Sequence, residues 1–251
     1  MRKRTRLLGQ TYEFSSLKEI LAKANEEKSG DQLAGIAAAD AKERIAAKMV
    51  LSELTLAEIR ENPVLPPEED EVSRIIEEGV NEAIYREIKG WTVAELREFI
   101  VDGASGDAEL ARISRGLTSE MIAAVAKIMS NLDLIAAAAK IHVPTRCNSV
   151  IGQPGVLASR AQPNHPADQL AGIRASLYEA LSYGVGDAVI GVNPVIDTTE
   201  SVRDIMLMTK EVITRWNIPT QNCVLAHVTT QMRAIRQGGT ADLVFQSIAG
   251  T

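Results

Sequence analysis

Val150-Ile-Gly-Gln-Pro-Gly155, Ala158-Ser-Arg-Ala-Gln-Pro-Asn164 and Asp187-Ala-Val-Ile-Gly-Val-Asn-Pro194 decide how this chain is to be read. Two short apolar runs each end in a polar cluster, Arg160 with Gln162 in the first and Asn193 before Pro194 in the second, and a segment of helix length lies between them. That is the pattern of a strand, loop, helix and strand. In parallel α/β folds the side chains that do chemistry sit just past the carboxyl ends of the strands, where loops converge. Arg160, Gln162 and Asn193 are therefore the first candidates.

The same texture continues to the end of the sequence. Short β-prone runs at 150–152, 188–192, 224–227 and 243–247 alternate with helix-length segments at 167–183, 201–216 and 230–237. Strands and helices in βα order give parallel strands joined by crossovers. Polar residues follow each run: Arg160 and Gln162, Asn193, His227 and Thr229, then Gln246 and Ser247. Four such strands leave the last as an unpaired apolar edge, which soluble proteins normally cover. The expectation is that residues 146–251 form about half of a (β/α)8 barrel, and that the chain is a fragment or has its remaining sheet supplied from elsewhere.

Upstream of Pro144 the sequence reads as helix. Ser15 or Ser16 can cap a segment bearing Leu17, Ile20, Leu21 and Ala24, and an alanine-rich stretch runs from Ala37 to Leu51. Thr55 and Thr92 are placed to cap the segments after them, and single helices are expected over 72–89 and 121–139. Pro63, Pro66 and Pro67 with Glu68 to Glu71 make a charged connector. Residues 1–145 are thus expected to be all-α.

Composition narrows the function classes. The chain has 251 residues, 45% apolar, and a formal charge of −6. The small basic arm of Arg2, Lys3, Arg4 and Arg6 is no general field for nucleic acid. No run of about 18 apolar residues is present, so a membrane span is not expected. Cys147 and Cys223 stand far apart without Cys-x-x-Cys or His spacing, so neither a disulfide framework nor a metal site is suggested, and a cytoplasmic address follows. Gly184-Val-Gly-Asp-Ala-Val-Ile-Gly191 is superficially similar to a dinucleotide fingerprint, but its glycines precede the strand instead of opening a helix after it. Met206 and Met208 read as core, and the lone His227 as a hydrogen-bonded structural residue.

Ile151-Gly-Gln-Pro-Gly, Ala161-Gln-Pro-Asn, Gly184 to Pro194, Asn217-Ile-Pro-Thr-Gln, Cys223-Val-Leu-Ala-His-Val-Thr-Thr-Gln and Phe245-Gln-Ser-Ile together resemble the large subunit of ethanolamine ammonia-lyase. Leu21-Ala-Lys-Ala-Asn-Glu, the Ser29 to Gly35 stretch, Asn62-Pro-Val and Arg115-Gly-Leu-Thr-Ser-Glu carry the likeness through the helical half, so that it covers nearly the whole chain. The resemblance implies a TIM barrel after a helical region, and a lyase converting ethanolamine to acetaldehyde and ammonia by radical chemistry with adenosylcobalamin. It implies that Arg160 and Asn193 contact the substrate hydroxyl, that Gln162 helps to hold the amine, and that Pro194 and Gln246 touch the cobalamin. The family's two carboxylates for the substrate ammonium fall beyond Thr251, which implies that this polypeptide alone is inactive. No protein ligand to cobalt is expected, since Asp-x-His-x-x-Gly is absent. A separate small subunit and further copies of the large subunit are the implied partners, with residence in a bacterial microcompartment left open. The alternative reading is a non-catalytic assembly module derived from that subunit.

Overall fold

The computed structural model describes residues 1–245, which fall into two compact units, Met1–Ile141 and His142–Thr251. The first unit opens with a β-hairpin. Strands β1 (Lys3–Leu7) and β2 (Gln10–Phe14) pair antiparallel, with Lys3 opposite Phe14 and Leu7 opposite Gln10. Leu8 and Gly9 form the two-residue turn, both at positive φ (50° and 86°), as a right-twisted hairpin requires. This corrects the all-α expectation and the helical reading from residue 12. Tyr12 and Phe14 alternate buried with exposed Thr11 and Glu13, a period of two that the arginine-rich partner strand disguised as a charged arm.

Ten helices follow among the described residues of this unit: α1 (Leu17–Lys23), α2 (Ser29–Leu33), α3 (Ala41–Glu53), α4 (Leu56–Arg60), α5 (Glu71–Gly79), α6 (Glu82–Ile88), α7 (Val93–Val101), α8 (Asp107–Ser114), α9 (Ser119–Ile128) and α10 (Asn131–Lys140). Ser16 Oγ accepts from the Glu19 N–H at 3.1 Å, and Thr55 and Thr92 close reciprocal capping boxes with Glu58 and Glu95. The helices expected over 72–89 and 121–139 are each divided. Asn81 and Ser130 cap α6 and α10, taking the backbone N–H groups of a new first turn, so each long apolar stretch is interrupted and starts again as a second helix. Phe14, Leu17, Ile20, Leu51, Leu56, Ile59, Leu96 and Met121 are almost wholly buried in one core.

The second unit is mixed. Strands β3 (Thr145–Arg146) and β4 (Val150–Ile151) pair antiparallel, and the run at 150–152 is therefore not the first parallel strand. Gly152 turns the chain away at φ 88°, where a Cβ would stand 2.7 Å from the Val143 carbonyl oxygen. The parallel sheet is β5 (Arg160–Ala161), β6 (Val189–Val192) and β7 (Asn222–Val224) in that order, joined through α11 (Leu170–Ser182) and α12 (Thr199–Trp216) and followed by α13 (Val228–Arg236). Arg160, expected beyond a strand, thus lies within one. The described residues form no closed barrel. After α13 the Asp242 and Leu243 N–H groups both donate to the Asn222 carbonyl at 3.2 Å, bringing the chain alongside β7. Residues 243–245 make no strand, and the rest of the fourth expected strand lies outside the described residues.

Ile173 and Leu177 of α11, Val202, Ile205, Met206 and Val212 of α12 and Ile190, Val192 and Val224 of the sheet share a second core. Met206 and Met208 are core residues, as read. The amino ends of the strands are closed by polar side chains with no exposure. Gln221 Nε2 donates to the Ala188 carbonyl and to Ser149 Oγ, and its Oε1 accepts from the Asn148 and Ser149 N–H groups at 3.0 and 3.1 Å. Asn222 Nδ2 donates to the Met206 and Thr240 carbonyls and to Thr209 Oγ1, and Asn222 and Asp242 exchange backbone-to-side-chain bonds at 3.0 Å. Lys210 Nζ lies 2.7 Å from Asp242 Oδ1. Burial works to raise the Asp242 carboxyl, but Lys210, the Asn222 N–H and Asn148 outweigh it and hold it below the usual carboxylate range.

A carboxyl depressed in the native state stabilises the fold above its unfolded value, and that contribution is lost as pH falls through the native one. Asp242→Asn is expected to cost about 1–3 kcal/mol at neutral pH, and the gap from the parent should close below about pH 4. Urea unfolding across that range checks this; a gap independent of pH would remove the carboxylate from the argument.

Candidate functional site

At the other end of the strands the polar groups are fewer and less satisfied. The parallel register sets Arg160 beside Val189 and Ala161 beside Ile190. From there the half-buried Arg160 side chain crosses β6: Nη2 donates to Asn193 Oδ1 at 2.9 Å and to the Gly191 carbonyl at 3.4 Å. The crossing needs glycine underneath. A Cβ at Gly191 would lie 2.6 Å from Arg160 Nε and 3.0 Å from Cζ, closer than side chains approach. The guanidinium carbon sits 5.2 Å from the centre of the Phe245 ring, within cation–π range. Arg160 Nε is buried and has no hydrogen-bond partner among the described residues, so one strong donor is unspent there. The Cys223 thiol is 1% exposed, and burial pushes it up, with the Arg160 charge opposing.

Asn193, half-buried, follows β6 directly. Its side-chain oxygen faces a guanidinium, which only donates, so its NH2 is turned to the opposite side. Its backbone N–H donates to Asn164 Oδ1 at 2.9 Å. Pro194 is half-buried beside exposed Val195 and Ile196. Gln162 stands one residue beyond β5, exposed, with its side-chain amide making no hydrogen bond among the described residues. The structure therefore joins Arg160 to Asn193 directly and leaves Gln162 near the same strand end without a bond to either. Gln246 lies outside the described residues.

Several participants carry no signal in a single sequence. Gly191 serves as clearance, and Phe245 as a face for the guanidinium. Gln231, wholly buried in α13, donates to the Ala226 carbonyl at 2.6 Å and the Phe245 carbonyl at 2.7 Å, tying the segment under Arg160 to the helix. Asn164 and Asp168 reach from the loop after β5 to the loop after β6. An Asn-x-x-x-Asp in a βα loop suggests turn chemistry, but partners roughly thirty residues away are not legible. His227 caps α13, its Nδ1 engaged with the Thr229 N–H and hydroxyl, in keeping with its structural reading. Both nearby carboxylates are engaged by backbone: Asp168 by Val195 and Ile196, Asp197 by the His227 N–H at 3.4 Å. Among the described residues no three His, Cys, Asp or Glu side chains group as metal ligands, and no helix is long and apolar enough to cross a membrane.

Fold and site define a protein of mixed helix and sheet whose second unit holds a small parallel sheet with a donor-rich cluster of guanidinium and carboxamides at its strand ends. A family model described as the ethanolamine ammonia lyase large subunit matches residues 12–251. The chain is 52% identical over 251 residues to the ethanolamine ammonia-lyase large subunits of Escherichia coli (strain K12) and Salmonella typhimurium, a match covering all of this chain and 55% of each relative. This chain belongs to the ethanolamine ammonia-lyase large-subunit family. It spans about half the length of the curated relatives it matches.

Because Gly191 and Arg160 share one space, their substitutions should not be additive. Gly191→Ala alone is expected to destabilise by about 1–3 kcal/mol through overpacking, and to cost much less when Arg160 is already Ala. A thermal or urea double-mutant cycle measures this; full additivity would mean that the guanidinium does not lie over Gly191.

Proposed function

We propose that this chain is the amino-terminal portion of an adenosylcobalamin-dependent ethanolamine ammonia-lyase large subunit. Residues 146–251 then supply the first part of a (β/α)8 barrel, and residues 1–145 a mainly helical region before it. The observation that carries the site reading is the 2.9 Å bond between Arg160 and Asn193 across neighbouring strand ends, in a chain of this family. Three parallel strands in chain order, with the segment after α13 returning beside β7, support the barrel reading.

In this reading the Arg160 guanidinium and the Asn193 NH2 donate to the substrate hydroxyl, and Gln162 Oε1 accepts from its ammonium. Donors of this kind fix the oxygen without taking its proton. Arg160, already bonded to Asn193 and set against Phe245, gives up little further freedom on binding, so the carbon bearing the hydroxyl is held in one place. Of the two residues assigned to the cofactor, Gln246 lies outside the described residues, and Pro194, with the exposed apolar side chains of Val195 and Ile196 next to it, would offer a rim suited to the alkyl periphery of a corrin. Adenosylcobalamin, when bound, supplies the radical that removes hydrogen from substrate. Such a subunit works with a small subunit and with further large subunits, in the cytoplasm or a microcompartment within it.

An ammonium in a closed pocket needs compensating negative charge, since an unpaired buried ion costs several kcal/mol. Asp168 and Asp197 are committed to backbone donors. The 251-residue polypeptide by itself is therefore proposed to bind ethanolamine weakly and to release no acetaldehyde. In a chimera where it replaces the matching part of the Escherichia coli large subunit, assembled with small subunit and adenosylcobalamin, ethanolamine should be turned over. There Arg160→Ala is expected to lower turnover by about 100-fold or more. Retained turnover would remove Arg160 from the site, and steady acetaldehyde release by the isolated chain would refute the charge argument.

A further inference from the structure

We propose that Asn164 and Asp168 form a latch between the two strand-end loops and act as positioning residues for Asn193 and Pro194. The loop after β6 carries the bonds that show this. Pro194 has no N–H, so the backbone from 193 to 196 has three donors, and each is taken by a side chain of the loop after β5. Asn164 Oδ1 accepts from Asn193 at 2.9 Å, and the two Asp168 carboxylate oxygens accept from Val195 at 3.0 Å and Ile196 at 2.7 Å. The proline is held from both sides.

Asp168 does this from a left-handed backbone conformation. Its φ of 50° places it in the left-handed region, which few residues other than glycine adopt, though Asp does so more readily than most. Bonds within the same loop hold it there. His165 Nδ1 accepts from the Ala167 and Gln169 N–H groups at 3.1 and 3.3 Å, and the Asp168 N–H donates to the His165 carbonyl at 3.1 Å. The His165 ring in turn lies against Gly172 of α11, in the space that a side chain there would fill. His165 thus folds the loop, the loop turns Asp168 outward, and Asp168 and Asn164 fix the backbone on either side of Pro194.

Neither residue needs to touch a ligand. They settle where the Asn193 amide points, and hence where Arg160, bonded to that amide, comes to rest. The functional meaning of the latch rests on the lyase reading above; its existence does not.

Amide hydrogen exchange on the 15N-labelled chain tests it with Asp168→Gly, which tolerates the left-handed conformation but removes the carboxylate, and Asp168→Asn, which keeps one acceptor. With glycine, the Val195 and Ile196 amides are expected to exchange about 10-fold or more faster, and the Asn193 side-chain signals to move, while Ile190, Val192 and Ile205 keep the parent rates. Asparagine should fall between. Unchanged rates at 195 and 196 would overturn the latch, as would loss of protection spreading through β6, which would make Asp168 a general folding residue. In the chimera, Asp168→Gly is expected to lower kcat about 10-fold with KM moved by less than about threefold. A parent chimera that releases no acetaldehyde would defeat the lyase reading and leave the exchange result to judge the latch.

Discussion

The site depends on a guanidinium passing over a glycine. Arg160 belongs to a two-residue strand, yet its reach to Asn193 is fixed by the parallel register that sets it beside Val189, four positions earlier. A shift of one residue would turn the side chain to the other face of the sheet. The bare backbone of Gly191 lets the side chain lie flat along that path, and Phe245 closes over it. Strand register, a missing methyl group and an aromatic face together convert a flexible cation into a placed one, with most of its rotamer entropy already spent in folding.

The two ends of the sheet manage polarity in opposite ways. At the amino ends Gln221 and Asn222 are wholly buried and bonded to backbone, to one another's neighbours and to Asp242. Nothing there is left to offer a ligand, and that end holds the hairpin of β3 and β4 and the returning chain in place. At the carboxyl ends, among the described residues, Arg160 Nε is unpartnered, the Asn193 NH2 is free of Arg160, and Gln162 has no side-chain bond. Buried donors without acceptors cost stability. At the carboxyl ends that cost falls on Arg160 Nε, which lies over Gly191, while the exposed Gln162 and half-buried Asn193 amides keep donors and acceptors free at little cost.

The order of strands and helices was legible because each βα step repeats the same exchange of a short β-prone run for a helical stripe, and Arg160 and Asn193 stood out as polar residues at the ends of such runs. What failed was local. Val150 and Ile151 are as β-prone as any strand here, but Pro154 and Gly155 follow them, and pairing went backward to Thr145 and Arg146 instead of forward into the sheet. Lys3 to Phe14 alternates in twos, yet Lys3, Arg4 and Arg6 in its first half, with Arg2 before them, read as an arm until Tyr12 and Phe14 are seen buried. Ser130 breaks a run of helix formers because a capping hydroxyl can outweigh modest propensities. Asn164, Asp168, Gln231 and Gly191 could not be assigned from one sequence, since what each does is defined by a partner far along the chain.

On the proposed reading, the chemistry of the cluster also explains why identity to the family and geometry bear on different parts of the substrate. A hydroxyl can be held by donors alone, and Arg160 and Asn193 supply donors. An ammonium cannot: a carboxamide such as Gln162 satisfies one N–H but leaves the charge uncompensated, and in a pocket shielded from water that charge dominates the energetics. The carboxylates closest in sequence have been drawn into the scaffold, Asp168 by two backbone amides and Asp197 by the cap of α13. Segregating the hydroxyl-binding donors from the amine-binding charge lets one small molecule be gripped at both ends, with the reacting carbon between them.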